Sequence, residues 1–386
     1  MKTQVPFDSI RGVCLGALGF LACACAVGTA QEMMDSMDKL TVAKSASRAR
    51  VLDGAFSDAL SSEKAALQFA ENRFGKTHPS LAPVLTDLAT IYRYMADYPA
   101  AEKELRWALA LREKNLKSND PLLAESLCQL GGLYGDWGRW KESLFYETRA
   151  HSILGNSNNK SDTLLSQVLN QLGRAQAGLG DTSAAVSSYK ESLEVSEKAK
   201  TRDPVLVIEA LKALSVLSAG NKQFSEAQSC LEKALETSKK NYASDSVEVG
   251  DALESLGDFF HARQQLEKAQ PLYQSAIQNY KRFVGVYFGY PTLPYLLRLS
   301  KAYETVGDDK SSEDLLGKGL DSARVSYGKN HPQVAVFAWR LGQVQIRLGK
   351  TKSGREHLLE CQTILQSLFP ADYPFLRDVE ARLKNN

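Results

Sequence analysis

The chain has 386 residues, 24% of them charged and 44% hydrophobic, which is typical of a folded protein rather than a disordered one. Its 47 Lys and Arg residues nearly balance 45 Asp and Glu residues, and the net charge is +2. This small net charge excludes a global basic field that would attract nucleic acid. A partner must therefore be selected by local surface chemistry.

The first 30 residues have the pattern of a secretory signal peptide. Lys2 and Arg11 are basic, residues 12–27 are apolar and uncharged, and residues 28–30 supply the small side chains that a cleavage site requires. Because the apolar run is short for a membrane span, we expect an exported chain, periplasmic or extracellular, with no transmembrane span after cleavage.

Two alternatives remain for this leader. The segment could stay uncleaved as an N-terminal anchor. It could also carry a lipid at Cys23, because residues 20–22 (Phe-Leu-Ala) loosely match the box that precedes a bacterial lipoprotein cysteine.

Beyond the leader, a leucine recurs every 42 residues, with one extra residue before its sixth occurrence. The series is Leu88, Leu130, Leu172, Leu214, Leu256, Leu299, Leu341 and Leu383. Small residues follow the first seven leucines at 13 and 20 positions, and glycine follows four of them at eight. This pattern predicts helical hairpins with a glycine turn and a closely packed second helix. Because a single hairpin leaves an apolar face exposed, the hairpins must stack into an all-α solenoid.

The period divides the chain into four parts. We expect a signal peptide over 1–30, an N-terminal segment and incomplete capping hairpin over 31–75, seven tandem 42-residue hairpins over 76–370, and a C-terminal capping helix over 371–386. The extra residue falls near the aromatic stretch 283–290, which is interpreted as a plugged turn between hairpins, a kink or a contact surface.

Two kinds of motif carry a family resemblance. Leu88-Ala89 with Tyr92, and Leu130-Gly131 with Tyr134, resemble the tetratricopeptide repeat. The 42-residue period is similar to that of the kinesin-light-chain-like subclass, as are the segments 74–79 (Phe-Gly-Lys-Thr-His-Pro) and 327–332 (Tyr-Gly-Lys-Asn-His-Pro). The resemblance implies a right-handed superhelix whose first helices line a concave groove that holds a protein or peptide.

No pattern typical of catalysis occurs in the sequence. A Gly-rich phosphate loop, HExxH and GxSxG are all missing, and none of the five histidines has a second His or Cys at a metal-ligand spacing. We therefore expect a non-enzymatic protein without cofactor or metal.

The register of the resemblance assigns residues to the groove. They are Thr86, Thr90, Arg93, Tyr94, Cys128, Asn170, Arg174, Lys212, Asp251, Glu254, Asp258, His261, Lys301, Trp339 and Gln343. Only Asn170 keeps the asparagine that the subclass shows before the repeated leucine. Tyr94 and Trp339 are candidate aromatic anchors. Cys128 is either a groove thiol or a buried packing residue.

Charge in this groove is expected to fall into two stretches. Arg93, Arg174 and Lys212 place cations in the first half, and a carboxylate row follows at Asp251, Glu254 and Asp258. Such a groove would orient a peptide of opposite charge pattern. We expect substitution of the three cations together to abolish partner capture without unfolding.

The sequence thus predicts an exported, non-enzymatic scaffold that holds a protein or peptide in its concave face. The alternative function is a structural element that self-associates through its repeat ends or the stretch 283–290. An enzyme is a third hypothesis.

Overall fold

The computed structural model describes residues 55–157, 161–200, 202–284 and 292–385, all of its regular structure being helical. The signal peptide, Cys23 and most of the stretch 283–290 lie outside these ranges. The helices are α1 Phe56–Phe74, α2 Leu81–Tyr94, α3 Tyr98–Asn115, α4 Pro121–Asp136, α5 Trp140–Gly155, α6 Asp162–Gly178, α7 Thr182–Lys198, α8 Pro204–Gly220, α9 Phe224–Asn241, α10 Val247–Ala262, α11 Leu266–Val284, α12 Leu293–Thr305, α13 Asp309–Tyr327, α14 Pro332–Arg347, α15 Thr351–Leu368 and α16 Pro374–Asn385.

The helices from α2 to α15 pair into seven hairpins, numbered 1 (α2 and α3) to 7 (α14 and α15), that stack in chain order. Helix α1 packs on hairpin 1 and α16 on hairpin 7. First helices of successive hairpins also contact each other directly, as α2 does α4, α4 does α6, and α6 does α8. They therefore form the inner, concave layer of the curve. The predicted all-α, right-handed solenoid of tandem hairpins is confirmed.

The repeated leucines are the core of this stack. All eight are buried, from 0% exposure at Leu130 to 9% at Leu383. The small residues of the second helices allow close approach. In hairpin 7, a Cβ added to Gly342 would lie 2.7 Å from the carbonyl oxygen of Gly354, and the reverse holds for a Cβ on Gly354. A larger residue at either position would push the two helices apart.

The turn inside each hairpin needs a left-handed residue eight positions after the leucine. Glycine supplies it in four hairpins, for example Gly180 at φ 85°. Ala96, Lys222 and Gln264 occupy the same position in hairpins 1, 4 and 5, with φ of 55°, 62° and 58°. Such residues cost about 1–2 kcal/mol in this conformation, so packing of the two helices enforces the turn even without glycine.

Proline and aspartate mark several starts of first helices. Pro121, Pro204 and Pro332 occupy the first turn, where a missing N–H leaves no hydrogen bond unmade. Asp120 and Asp203 cap α4 and α8 by accepting a backbone N–H two residues further on, at 2.9 Å in both cases. Within the part of the chain that the structure describes, no helix is long and apolar enough to cross a membrane.

Candidate partner-binding groove

Ion pairs between neighbouring first helices line the concave face of hairpins 1 to 3. Asp136 of α4 receives Arg93 of α2 at 2.5 Å and Arg174 of α6 at 2.7 Å. Burial raises the pKa of the Asp136 carboxyl, but the two guanidinium groups outweigh burial and hold the pKa below its usual range. The carboxylate therefore stays charged and ties three hairpins together.

A second series of ion pairs joins hairpins 4 to 6. Lys212 of α8 donates to Asp251 of α10 at 2.6 Å, and Arg298 of α12 pairs with the same carboxylate. Lys301 of α12 contacts both Glu254, at 3.3 Å, and Asp258. Burial, followed by the nearby Arg298, lowers the pKa of Lys212 to about 8.

The last two hairpins are linked in the same way. Glu304 of α12 accepts Arg340 at 2.5 Å and Arg347 at 2.7 Å. Sequence reasoning assigned Glu304 to the groove but did not assign Arg298 or Arg340. A usable signal was present, because opposite charges one repeat apart recur, as between Lys212 and Asp251 at a spacing of 39 residues.

These pairs correct the expected separation of charge. The three cations of the first half do not form a cationic stretch, because Arg93 and Arg174 share Asp136 and Lys212 binds Asp251. Each cation meets a carboxylate of a neighbouring hairpin, so charge alternates along the concave face. Substituting all three cations would therefore also remove contacts that hold the hairpins together.

The series of ion pairs is interrupted between hairpins 3 and 4. No ion pair is found there between the first helices α6 and α8, both wholly described, and the contact across the concave face is the hydrogen bond from Asn170 Nδ2 to the Leu206 carbonyl, 2.9 Å long. A cavity of about 470 Å³ opens at this junction and reaches hairpins 5 and 6. Its lining is Asn170, Gln171, Arg174, Tyr189, Val205, Ile208, Glu209, Lys212, Tyr242, Glu248, Asp251 and Arg298.

Asn170 contributes an unused acceptor to this cavity. Its residue is 6% exposed, and its Oδ1 is buried without a hydrogen-bond partner. The orientation of the amide follows from chemistry, because the Leu206 carbonyl can only accept and must face the Nδ2 donor. The remaining oxygen is therefore a buried acceptor that lacks a donor.

Other predicted groove residues also lie on first helices but differ in accessibility. Cys128 is 1% exposed, where burial raises the pKa of its thiol, so it is a packing residue and not a groove thiol. Glu254 is 3% exposed and accepts the Tyr280 hydroxyl at 2.8 Å. Thr86 and Thr90 donate to carbonyls of their own helix.

The two aromatic anchors are partly covered. Tyr94 is 40% exposed and stacks on Phe56 of α1, with ring centroids 5.7 Å apart. Trp339 is half-buried against Phe375 of the capping helix α16, at 5.6 Å. His261 and Gln343 are exposed and half-buried, respectively. Whether these residues bind a partner stays a prediction.

Comparison with known proteins agrees with this geometry. A tetratricopeptide-repeat family model matches residues 47–114 and 207–282, and a second tetratricopeptide-repeat model matches residues 166–198. No curated protein matches the sequence.

Several solved structures are similar to this chain at low identity. Aspartyl phosphate phosphatase F from Bacillus subtilis has a TM-score of 0.54 and 13% identity, over 78% of this chain and 75% of that chain. The apo form of RapI has a TM-score of 0.50 and 12% identity, over 79% and 99%. A kinesin light chain protein with TPR-like repeats from Podosopora anserina has a TM-score of 0.39 and 17% identity, over 54% and 98%. The stacked hairpins and the matching family models together show that this chain contains tetratricopeptide repeats.

Proposed function

We propose that the protein is an exported, non-enzymatic scaffold that holds an extended segment of another protein in its concave groove. The centre of the binding site is the cavity between hairpins 3 and 4. The observation that carries the proposal is the buried, unpartnered Oδ1 of Asn170 at this cavity, since buried polar atoms in native proteins are nearly always hydrogen-bonded.

An extended peptide matches the chemistry of the cavity. A peptide N–H would satisfy Asn170 Oδ1, while Val205 and Ile208 offer apolar contact. Lys212 and Arg174 are each engaged by one carboxylate, yet an ammonium has three donors and a guanidinium five. Both can therefore also bind a carbonyl or carboxylate of the peptide without leaving their ion pairs.

Site-specific photo-crosslinking tests the groove assignment with a matched pair of positions in hairpin 4. Glu209 of α8 is exposed on the cavity, and Glu232 of α9 is exposed on the second helix. A photoreactive residue at Glu209 should capture a segment from the exported fraction of the source organism, and the same residue at Glu232 should not. A synthetic peptide of the captured segment should then compete with the crosslink.

Equal capture at both positions, or a segment whose synthetic peptide does not compete, would exclude the groove as the binding site. The alternative of self-association is separated by light scattering over a concentration series, where a mass that grows with concentration favours assembly. Export is tested by N-terminal sequencing. A mature chain that begins at Gln31 supports cleavage, and one that begins at a lipid-modified Cys23 supports anchoring.

The non-enzymatic part of the proposal rests on the absence of converging reactive groups. Among the described residues, no three His, Cys, Asp or Glu side chains are arranged to hold a metal ion. The groove residues whose pKa is shifted, such as Asp136 and Lys212, form ion pairs between hairpins. Turnover in a hydrolase and transferase screen that Asn170→Ala abolishes would contradict this part.

A further inference from the structure

The two ends of the superhelix touch. His331, at the start of α14, donates its Nε2–H to the carbonyl of Tyr94 at the end of α2, at 2.8 Å. The tautomer is settled because Nδ1 of the same ring accepts the Gln333 N–H at 3.1 Å. Phe56 of α1 stacks on both Tyr94 and Tyr327, with centroids 5.7 Å and 5.6 Å away. The contacts of Tyr94 with His331 and of Phe56 with Tyr327 join residues more than 230 positions apart, 237 in the first case.

A second set of contacts lies one hairpin further on. Trp137, after α4, donates its indole N–H to the Leu368 carbonyl at 3.2 Å. Phe369 lies 6.1 Å from Tyr98, and a Cβ on Gly138 would come within 3.0 Å of Tyr373. The turns of hairpins 1 and 2 thus pack against the connections that flank hairpin 7. We name the two sets of contacts together the seam.

The hydrophobic core runs through the seam. One cluster of buried residues contains side chains of hairpins 1 to 3, such as Leu127, together with side chains of hairpins 6 and 7, such as Leu341. Hairpins 3 and 4 are instead joined by a small cluster around Tyr189, and by Leu193 of hairpin 3 packed against a second small cluster within hairpin 4 around Val207. In an open stack, where each hairpin contacts only its neighbours in the chain, the buried core would pass from each hairpin to the next. Here the core of hairpins 1 to 3 is instead continuous with the core of hairpins 6 and 7.

The series of ion pairs is also interrupted at the junction of hairpins 3 and 4. Hairpins 1 to 3 are tied by Asp136, and hairpins 4 to 7 by Asp251, Lys301 and Glu304. Between the two groups, the inner face has the Asn170 hydrogen bond and the outer face the exposed pair Lys190–Glu226, at 3.2 Å. Exposed pairs contribute little, so the junction of hairpins 3 and 4 is where two stiff groups can rotate.

We propose that the seam is a gate on the concave face, which opens by rotation of hairpins 1–3 against hairpins 4–7 about the Asn170 junction. With the seam closed, the concave face lines the inside of a complete superhelical turn. An extended chain with a free end can thread into that turn, whereas a folded domain reaches the face from the side after the seam parts. The gate builds on the proposed concave binding site, but its test below uses no partner, so either idea can fail alone.

Thiol labelling with probes of two sizes tests the gate. Val216 of the first helix α8 is 71% exposed and Val325 of the second helix α13 is 86% exposed, so cysteines at these positions form a matched inner and outer pair. Cys14, Cys23, Cys25 and Cys230 are first replaced by Ser, while Cys128 and Cys361 are buried. The probes are N-ethylmaleimide and a maleimide attached by a short tether to a small folded protein.

We expect N-ethylmaleimide to react with both cysteines at comparable rates. The protein-borne maleimide should react at least about tenfold more slowly with Val216→Cys than with Val325→Cys, because a minor open state of about 0.1–10% limits its access. The seam variant His331→Ala with Phe369→Ala should remove most of that difference. The matched control His78→Ala with Phe74→Ala also alters one histidine and one aromatic residue, in the loop at the other end of the chain, and should leave the difference unchanged.

Two results would overturn the gate. One is equal reaction of the large probe at both positions with the seam intact. The other is an unchanged difference in a seam variant that keeps its helical circular dichroism. If the double variant loses helicity, Trp137→Phe replaces it, because that change removes the bond to the Leu368 carbonyl and retains an aromatic ring. Failure of Trp137→Phe to speed the large probe at Val216→Cys would count equally against the gate.

Discussion

Residues 74–79 and 327–332 form two loops of nearly the same sequence with different surroundings. Each starts after a second helix, with Gly75 at φ 83° and ψ 156° and Gly328 at φ 83° and ψ 163°. In each, the histidine stacks on the aromatic residue before the glycine, His78 on Phe74 and His331 on Tyr327. His78 is exposed and bonds the nearby Ser80 hydroxyl at 2.7 Å, whereas His331 is 6% exposed and bonds Tyr94 across the seam.

The comparison separates what a local motif determines from what the rest of the molecule adds. Glycine and the aromatic–histidine stack recur wherever the motif occurs, because they depend on residues a few positions apart. Burial and the long-range hydrogen bond occur only where the superhelix brings another turn against the loop. The same six-residue pattern is thus a solvated connection at one end and a structural contact at the other.

The largest expected difference between the two loops is that between His331→Ala and His78→Ala. The first change leaves the Tyr94 carbonyl without its donor, removes the cap of α14 and deletes a buried ring, and we expect a loss of about 3 kcal/mol. The second change affects an exposed ring and should alter stability by less than about 0.5 kcal/mol. Urea unfolding followed by circular dichroism measures both. Equal losses would mean that the seam does not contribute to stability.

Glycine substitution should affect the two loops alike. Both glycines have a backbone conformation that is essentially restricted to glycine, and a Cβ at either would meet nothing within 4 Å. The strain is therefore local, and we expect Gly75→Ala and Gly328→Ala each to lower the free energy of unfolding by about 2 kcal/mol. A much larger effect at Gly328, measured by the same unfolding experiment, would show that its backbone is coupled to the seam.

The smallest expected effect is a dependence on pH that only the seam loop shows. Burial lowers the pKa of His331 from 6.5 to about 4. The unfolded chain therefore binds more protons than the folded one between these values, and stability present above pH 6.5 falls as the pH drops toward 4. We expect about 1–2 kcal/mol to be lost by pH ~5.

Buried carboxyls such as Glu147, whose pKa is raised by burial, also respond to acid, so the His331 effect must be isolated by difference. Asn at position 331 does not titrate and can still cap a helix. The free energy of unfolding is measured against pH for both proteins, and the values for His331→Asn are subtracted from those of the unaltered protein. The difference should show the predicted loss of stability toward acid pH. A flat difference would indicate that His331 is protonated as easily in the folded state as in the unfolded one.

The fold could be predicted from the sequence because a 42-residue period repeats the same packing demand seven times. Leu130 and Leu341 are buried for one reason, so one pattern finds both. The seam could not be predicted, because it depends on the accumulated twist of all seven hairpins, and the loop around His331 has nearly the same sequence as the loop around His78.

The candidate site was only partly predictable, for a similar reason. The register placed Asn170, Arg174 and Lys212 on first helices, where the structure brings them to one cavity. It did not pair them with carboxylates of neighbouring hairpins, because a pair such as Arg174 with Asp136 depends on the rotation between successive hairpins. Cys128 failed as a groove residue because a helix position near the groove edge can turn into the core.

The contacts across the seam also change how the molecule should come apart. An open repeat array frays at its terminal hairpins, which have one neighbour each. Here hairpins 1 and 7 are each held on two sides, whereas the junction of hairpins 3 and 4, in the middle of the sequence, has a small shared core and no ion pair between its wholly described first helices. Loss of structure under stress therefore begins internally, and a protease that samples partly unfolded molecules would first divide the chain near its centre rather than trim its ends.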